Sequence, residues 1–159
     1  MKVSIEDERK FRVIEGPIST LTNGVEITQG YLCVDPPIRV RVANFDECAV
    51  FIKIKEGPGR NFEFVDDDLS LKEAMKLMSA HKYHKIRKTR YKIGRLEVDV
   101  FLGELEGLVL IEFEQRFPGE YFKIPESFLV EEVTGDIRFE NHHLCQLDKL
   151  PEEWRCRHV

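Results

Sequence analysis

The stretch SIEDERKFRV, residues 4–13, decides how this chain is read. Glu6, Asp7, Glu8, Arg9 and Lys10 stand in an unbroken charged run between Ile5 and Phe11. Alternate residues of a β-strand point to the same side, ~6.6 Å apart at ~3.3 Å rise per residue. As a strand, the run puts Glu6, Glu8 and Lys10 on one face and Ile5, Asp7, Arg9 and Phe11 on the other.

The same alternation returns further along. Arg39 and Arg41 share a face opposite Ile38, Val40 and Val42, and Lys53 and Lys55 share one opposite Ile52 and Ile54. Lys88 and Arg90 align with Lys92. Glu97 and Asp99 oppose Val98, Val100 and Leu102, and Glu112 and Glu114 oppose Ile111 and Phe113. An ordinary amphipathic sheet, with its polar face in water, explains any one of these strands. It does not explain why most strands carry charges of a single sign. Two like charges ~4 Å apart cost about 4 kcal/mol at an effective dielectric of about 20. Basic pairs are stabilised by an anion among them, and clustered carboxylates by a divalent cation.

The whole chain sets the frame. Its 159 residues are 42% hydrophobic and 33% charged, with net charge −5, enough apolar content for a folded core. The acidic balance argues against a nucleic-acid partner or a membrane surface. The N-terminus has no apolar leader and no run is long enough to span a bilayer. Cys33, Cys48, Cys145 and Cys156 form no C-x-x-C pair and no zinc spacing, so free thiols and a cytoplasmic location are expected.

Strands are expected near residues 3–13, 25–34, 37–43, 48–56, 60–66, 83–93, 95–102 and 107–115, separated by turn chemistry such as DPP (35–37) and EGPG (56–59). Short connections imply antiparallel neighbours. Residues 68–80 read as a helix, with Ser70 and Glu73 at capping-box spacing and Leu71, Ala74, Met75 and Met78 in a helical stripe. A second helix is expected from Asp136 through IRFENHHLCQLDKL, and a helical turn at PESFL. The fold class is mostly β (α+β), one domain over residues 1–159. About eight antiparallel strands close into a barrel wide enough for one small ligand. With the charged faces inward, that barrel is a tunnel with a polar, charged interior and a few flanking helices.

On these residues the chain resembles the CYTH superfamily, the triphosphate tunnel metalloenzymes, and in particular bacterial single-domain inorganic triphosphatases. Glu6-Asp7-Glu8-Arg9-Lys10 matches the family's E-x-E-x-K strand. QGYL (29–32), RVR (39–41), IKIK (52–55), KTRY (88–91), EVDVF (97–101), EFE (112–114) and EVTGDIRFEN (132–141) match further blocks in order. The resemblance implies an eight-stranded tunnel that hydrolyses a triphosphate, inorganic triphosphate first, with one or two Mg²⁺ or Mn²⁺ ions. It implies metal ligation by Glu6, Glu8, Asp99, Glu112 and Glu114. It implies triphosphate binding by Lys10, Arg39, Arg41, Lys53, Lys55, Lys88 and Arg90, with Glu6, Glu8, Lys10, Lys53 and Lys55 catalytic. Hard oxygen ligands suit Mg²⁺, and arginine grips phosphate bidentately where lysine acts as a point charge.

The chain departs from the pattern at Asp7, commonly apolar, and in RNFEFVDDD, where Glu63 is a candidate acid but Val65 stands where another carboxylate is common. Lys85 and Arg87, with His81 and His84, read as a solvated approach to the basic strand, and His142 and His143 as surface or core residues. The same tunnel serves class IV adenylyl cyclases and thiamine triphosphatases. A non-catalytic polyphosphate- or nucleotide-binding module, or a plain β-sandwich interaction domain, stands as an alternative from another class. A homodimer stays open.

Overall fold

The computed structural model describes residues 2–158. The strands follow from the alternation: β1 (Lys2–Gly16), β2 (Val25–Val34), β3 (Pro37–Ala43), β4 (Glu47–Gly57), β5 (Arg60–Asp66), β6 (Ile86–Ile93), β7 (Leu96–Phe101) and β8 (Val109–Glu114). They form an antiparallel ring in the order β1-β5-β4-β3-β2-β6-β7-β8, and β8 pairs back onto β1. Closure depends on the length of β1. Its first half, Lys2 to Asp7, pairs with β5, and its second half, Glu8 to Arg12, pairs with β8. Two short strands extend this sheet beyond the barrel, β9 (Leu129–Glu132) antiparallel to β1 and β10 (Arg157–His158) parallel to it.

The charged faces point inward, as the alternation requires, and the apolar faces are covered from outside. Helix α1 (Leu71–Met78) buries Ala74 and Met78 against Val40 and Cys48. It starts at Ser70 because the expected capping box forms. The Glu73 N–H donates to Ser70 Oγ at 3.1 Å, and the Ser70 N–H donates to Glu73 Oε2 at 2.8 Å. On the other side, Phe11, Val13, Leu96, Val98, Ile111 and Phe113 pack under Ile18 and Phe128, and Phe122 stacks on Phe113 at 4.3 Å between ring centroids.

The inward rows turn apolar at one end. Tyr31, Ile86, Phe101 and Leu110 continue the inner faces that carry Gln29, Lys88, Asp99 and Glu112. They pack against Phe139, Leu144 and Leu150 of the C-terminal segment, with Trp154 on Phe139 at 4.5 Å between ring centroids.

That packing corrects the expected second helix. The segment is a 3₁₀ turn at Ile137–Phe139 followed by the single-turn α2 (Asn141–Leu144), with Glu140 extended between them. Phe139 and Leu144 must both reach the barrel end, and five residues of unbroken helix would turn them ~140° apart. PESFL turns through the Phe128 N–H donating to the Pro125 carbonyl at 3.0 Å, and β9 begins at its last residue, Leu129. Strand β6 begins at Ile86 rather than at residue 83. Among the described residues, no helix is long and apolar enough to cross a membrane.

Candidate active site

The ring order sorts the charges. Acidic strands lie side by side: β7 (Glu97, Asp99), β8 (Glu112, Glu114), β1 (Glu6, Glu8) and β5 (Glu63). The basic strands complete the ring: β4 (Lys53), β3 (Arg39, Arg41) and β6 (Lys88, Arg90), with β2 contributing Gln29 and Tyr31 between β3 and β6. The barrel therefore has an acidic half-wall facing a basic one across a central cavity of about 370 Å³. Lys10 is the exception, a cation on the acidic side.

Lys10 is 3% exposed and directly opposite Glu112 in the strand register. Its Nζ lies 3.6 Å from Glu112, 3.7 Å from Glu8 and 3.5 Å from Glu140, and donates to the Phe139 carbonyl at 3.2 Å. Burial works against its charge, but Glu112, Glu8 and Glu140 outweigh burial and hold the ammonium above its ordinary range. Glu112 moves down: burial opposes its charge, but Lys10, Lys88 and Arg90 prevail. Glu8 moves the other way. Burial, then the nearby Glu112 carboxylate, pushes it up to about 8.

Glu6 and Glu63 lie at the β1–β5 seam, each within reach of Lys53 Nζ, at 3.2 Å and 3.9 Å. Glu63 also lies 3.5 Å from Arg39 Nη2 and is 5% exposed, so the loosely matched block does bring a carboxylate into the cavity. Burial pushes Glu63 up. Among the described residues, Glu6 Oε2, Glu63 Oε2 and the Nε atoms of Arg39 and Arg41 are buried with no hydrogen-bond partner. Such groups are costly in a closed interior. The two arginines are held by Phe51, whose ring centroid lies 4.2 Å and 4.4 Å from their guanidinium carbons.

Two of the expected site residues, Asp99 and Lys55, lie outside the central cavity. Asp99 is fully buried beneath it, with its carboxylate taken by Lys88 Nζ at 2.6 Å and by Arg90 at 2.7 Å and 2.9 Å. Lys55 lies in an adjoining mouth rather than in the central cavity. Lys85 and Arg87 are exposed outside the barrel, solvated as read. Glu114 lines the cavity at its exposed rim and accepts the Asp7 N–H at 2.8 Å. Sequence reasoning passed over Gln29, Glu140, Asn141 and His142 as site residues, although all four line the cavity. Gln29 carried one signal, a polar residue at an inward position of a strand. Glu140, Asn141 and His142 come from the irregular C-terminal segment, where no periodicity marks a face.

The donor set suits a hard divalent cation. Among the described residues no three His, Cys, Asp or Glu side chains converge on one point, and the Lys10 ammonium lies beside both Glu8 and Glu112. Mg²⁺ needs no such cage: it keeps several waters and takes one or two carboxylates with substrate phosphates. Glu6 and Glu63, whose Oε2 atoms lie near Lys53 but accept no hydrogen bond, are of that type.

No known family's sequence profile matches the chain. Individual proteins do. The chain is 33% identical over 144 residues to an inorganic triphosphatase of Acetivibrio thermocellus, covering 87% of this chain and 92% of that one. It is 31% identical over 150 residues to an inorganic triphosphatase of Nitrosomonas europaea, covering 87% and 95%. The crystal structure of the inorganic triphosphatase NE1496 superposes with a TM-score of 0.60 at 30% identity, covering 91% of this chain and 98% of that one.

Proposed function

We propose, for a chain that belongs to the CYTH family of triphosphatases, that its tunnel hydrolyses inorganic triphosphate to diphosphate and phosphate with the help of Mg²⁺ or Mn²⁺. The observation that carries this reading is the division of the lumen into facing acidic and basic half-walls. A triphosphate has the charge to occupy the basic half, and its metal the charge to occupy the acidic half.

Phosphoryl transfer asks little covalent chemistry of a protein and depends on positioning and electrostatic stabilisation. In the reaction a water oxygen bonds to a terminal phosphorus, the bridging P–O bond breaks, and its electron pair leaves on the diphosphate. Arg39 and Arg41, each with an unpaired Nε, are suited to grip the phosphate chain. Lys10, Lys53, Lys88 and Arg90 supply further positive charge, which gains most as charge builds on the leaving oxygen. Glu6, Glu8, Glu63, Glu112 and Glu114 are the side chains that would hold the cation, which neutralises phosphate oxygens and lowers the pKa of bound water. The reading places the enzyme in the cytoplasm, consistent with four free thiols.

The test is phosphate release from inorganic triphosphate, ATP and thiamine triphosphate, each with Mg²⁺, with Mn²⁺ and with chelator, beside Glu6→Ala. Metal-dependent release that is fastest from inorganic triphosphate and is lost in the variant is expected. No release from any of the three would overturn the hydrolase. Binding with no turnover would leave a capture module in its place.

A further inference from the structure

The central cavity is not the end of the tunnel. A second cavity of about 540 Å³ adjoins it and shares Pro37, Lys53, Glu140 and His142 with it. Beyond that junction the wall changes character. Val34, Pro36 and Ile137 line it beside the exposed Asp35, and the strand cation there is Lys55, two residues along the inner face of β4 from Lys53. The cation series therefore continues past the point where the central cavity stops. The room continues as well.

At the junction stands a carboxylate that the barrel does not supply. Glu140 belongs to the C-terminal segment, lines both cavities, and has its Oε2 3.5 Å from Lys10 Nζ. Its neighbours hold the segment in place. The Phe139 carbonyl accepts from Lys10 at 3.2 Å, Phe139 is buried in the barrel end, and Asn141 Nδ2 donates to Gln29 Oε1 at 3.4 Å.

We propose that Glu140 is a chain-length gate, a specificity-determining residue that limits the tunnel to three phosphoryl groups. This rests on the triphosphatase reading. Each phosphoryl group of a linear polyphosphate carries negative charge, and a fourth group on its way from Lys53 to Lys55 enters the junction that Glu140 lines. Neither volume nor a lack of cations excludes it there. A like charge does, and rejection of a competitor by a misplaced charge is a general route to specificity.

The probes are inorganic triphosphate and inorganic tetraphosphate. Wild type is expected to prefer the triphosphate by about tenfold or more in kcat/KM, the scale of one like-charge clash at a binding surface. Glu140→Gln keeps the size of the side chain, and is expected to narrow that ratio about tenfold, mainly through KM for the tetraphosphate. Glu140→Asp retains the charge and should retain the discrimination. Lys55→Met added to Glu140→Gln should take the gain away, because Lys55 is what the fourth group would reach.

Calorimetric Kd values for the two anions read the same ratio without turnover. An unchanged ratio in Glu140→Gln, or a wild type that treats both anions alike, overturns the gate and leaves the triphosphatase reading standing. Failure to bind either anion overturns both.

Discussion

Asp99 and Arg90 stand directly opposite each other on β7 and β6, joined by two hydrogen bonds in which Arg90 Nε donates to Asp99 Oδ1 at 2.7 Å and Nη2 to Oδ2 at 2.9 Å. Lys88 Nζ donates to the same carboxylate at 2.6 Å. One buried acid thus aims two cations of the basic half-wall. Burial opposes the charge on Asp99, but Lys88 and Arg90 overcome it and hold the carboxyl below its usual range.

Asp99→Asn is expected to destabilise the fold by about 3 kcal/mol or more, because it leaves the buried Lys88 without its ion-pair partner, while Arg90 keeps Glu97 at 3.0 Å. Activity should fall with it. Urea denaturation and initial rates are the measurements. A variant with wild-type stability and only a raised metal requirement would instead make Asp99 a metal ligand.

Glu8 makes the metal-free protein sensitive to pH. Its carboxyl is raised from 4.5 to about 8 in the folded chain, so between those values the folded state holds a proton that the unfolded state has lost. Stability of the metal-free protein from this group must therefore fall as pH rises through that window. Urea midpoints in chelator should show this slope, and Glu8→Gln should remove it. A divalent cation on Glu8 must displace the same proton, so apparent Mg²⁺ affinity should rise until pH about 8 and then level. A flat midpoint and a flat affinity would show Glu8 to be ionised throughout.

Arg39→Lys tests the basic half-wall. Lysine keeps the charge but loses the planar fork and its stacking on Phe51, 4.2 Å from the guanidinium carbon. An approximately tenfold loss in kcat/KM is expected, mostly in KM, from a charged bidentate contact reduced to a point charge. Unchanged steady-state kinetics would remove Arg39 from the phosphate site.

Gly59 holds the β4–β5 turn against β1 beside the acidic wall. Its φ is +70°, and a Cβ there would run into the Glu8 carbonyl, while the Glu8 N–H donates to the Gly59 carbonyl at 2.9 Å. Gly59→Ala should cost about 1–3 kcal/mol from left-handed strain and crowding. Metal-dependent rate should drop too, since Glu8 shifts with its backbone. Thermal melts with and without Mg²⁺ would check both, and a melting point equal to wild type would show that the turn relaxes.

Much of the fold was legible because its cause is local. Period-2 alternation defines the barrel strands, the Ser70–Glu73 box starts α1, and the parity of each strand assigns its charges to the lumen. The C-terminal segment was misread for the opposite reason. Phe139, Leu144 and Leu150 serve a barrel end built by β2, β6, β7 and β8, and that distant demand breaks the helix at Glu140. For the same reason no periodicity placed Glu140, Asn141 and His142 at the site before the chain was folded, although Glu140 and Asn141 close the EVTGDIRFEN block.

The sequence by itself determined that this protein has charged strand faces sorted by sign, and the residues that bear them. Where the acids and bases meet was decided only by the tertiary structure. Strands β1, β5, β7 and β8 are scattered along the chain, yet they lie side by side because β1 is long enough to pair with β5 through one half and β8 through the other. That closure separates an acidic wall from a basic one, buries Asp99 beneath the cations and sets Glu140 at the junction with the mouth. Side-chain parity is a property of a single strand. Strand order is a property of hydrogen bonding between distant ones, and it places the charges.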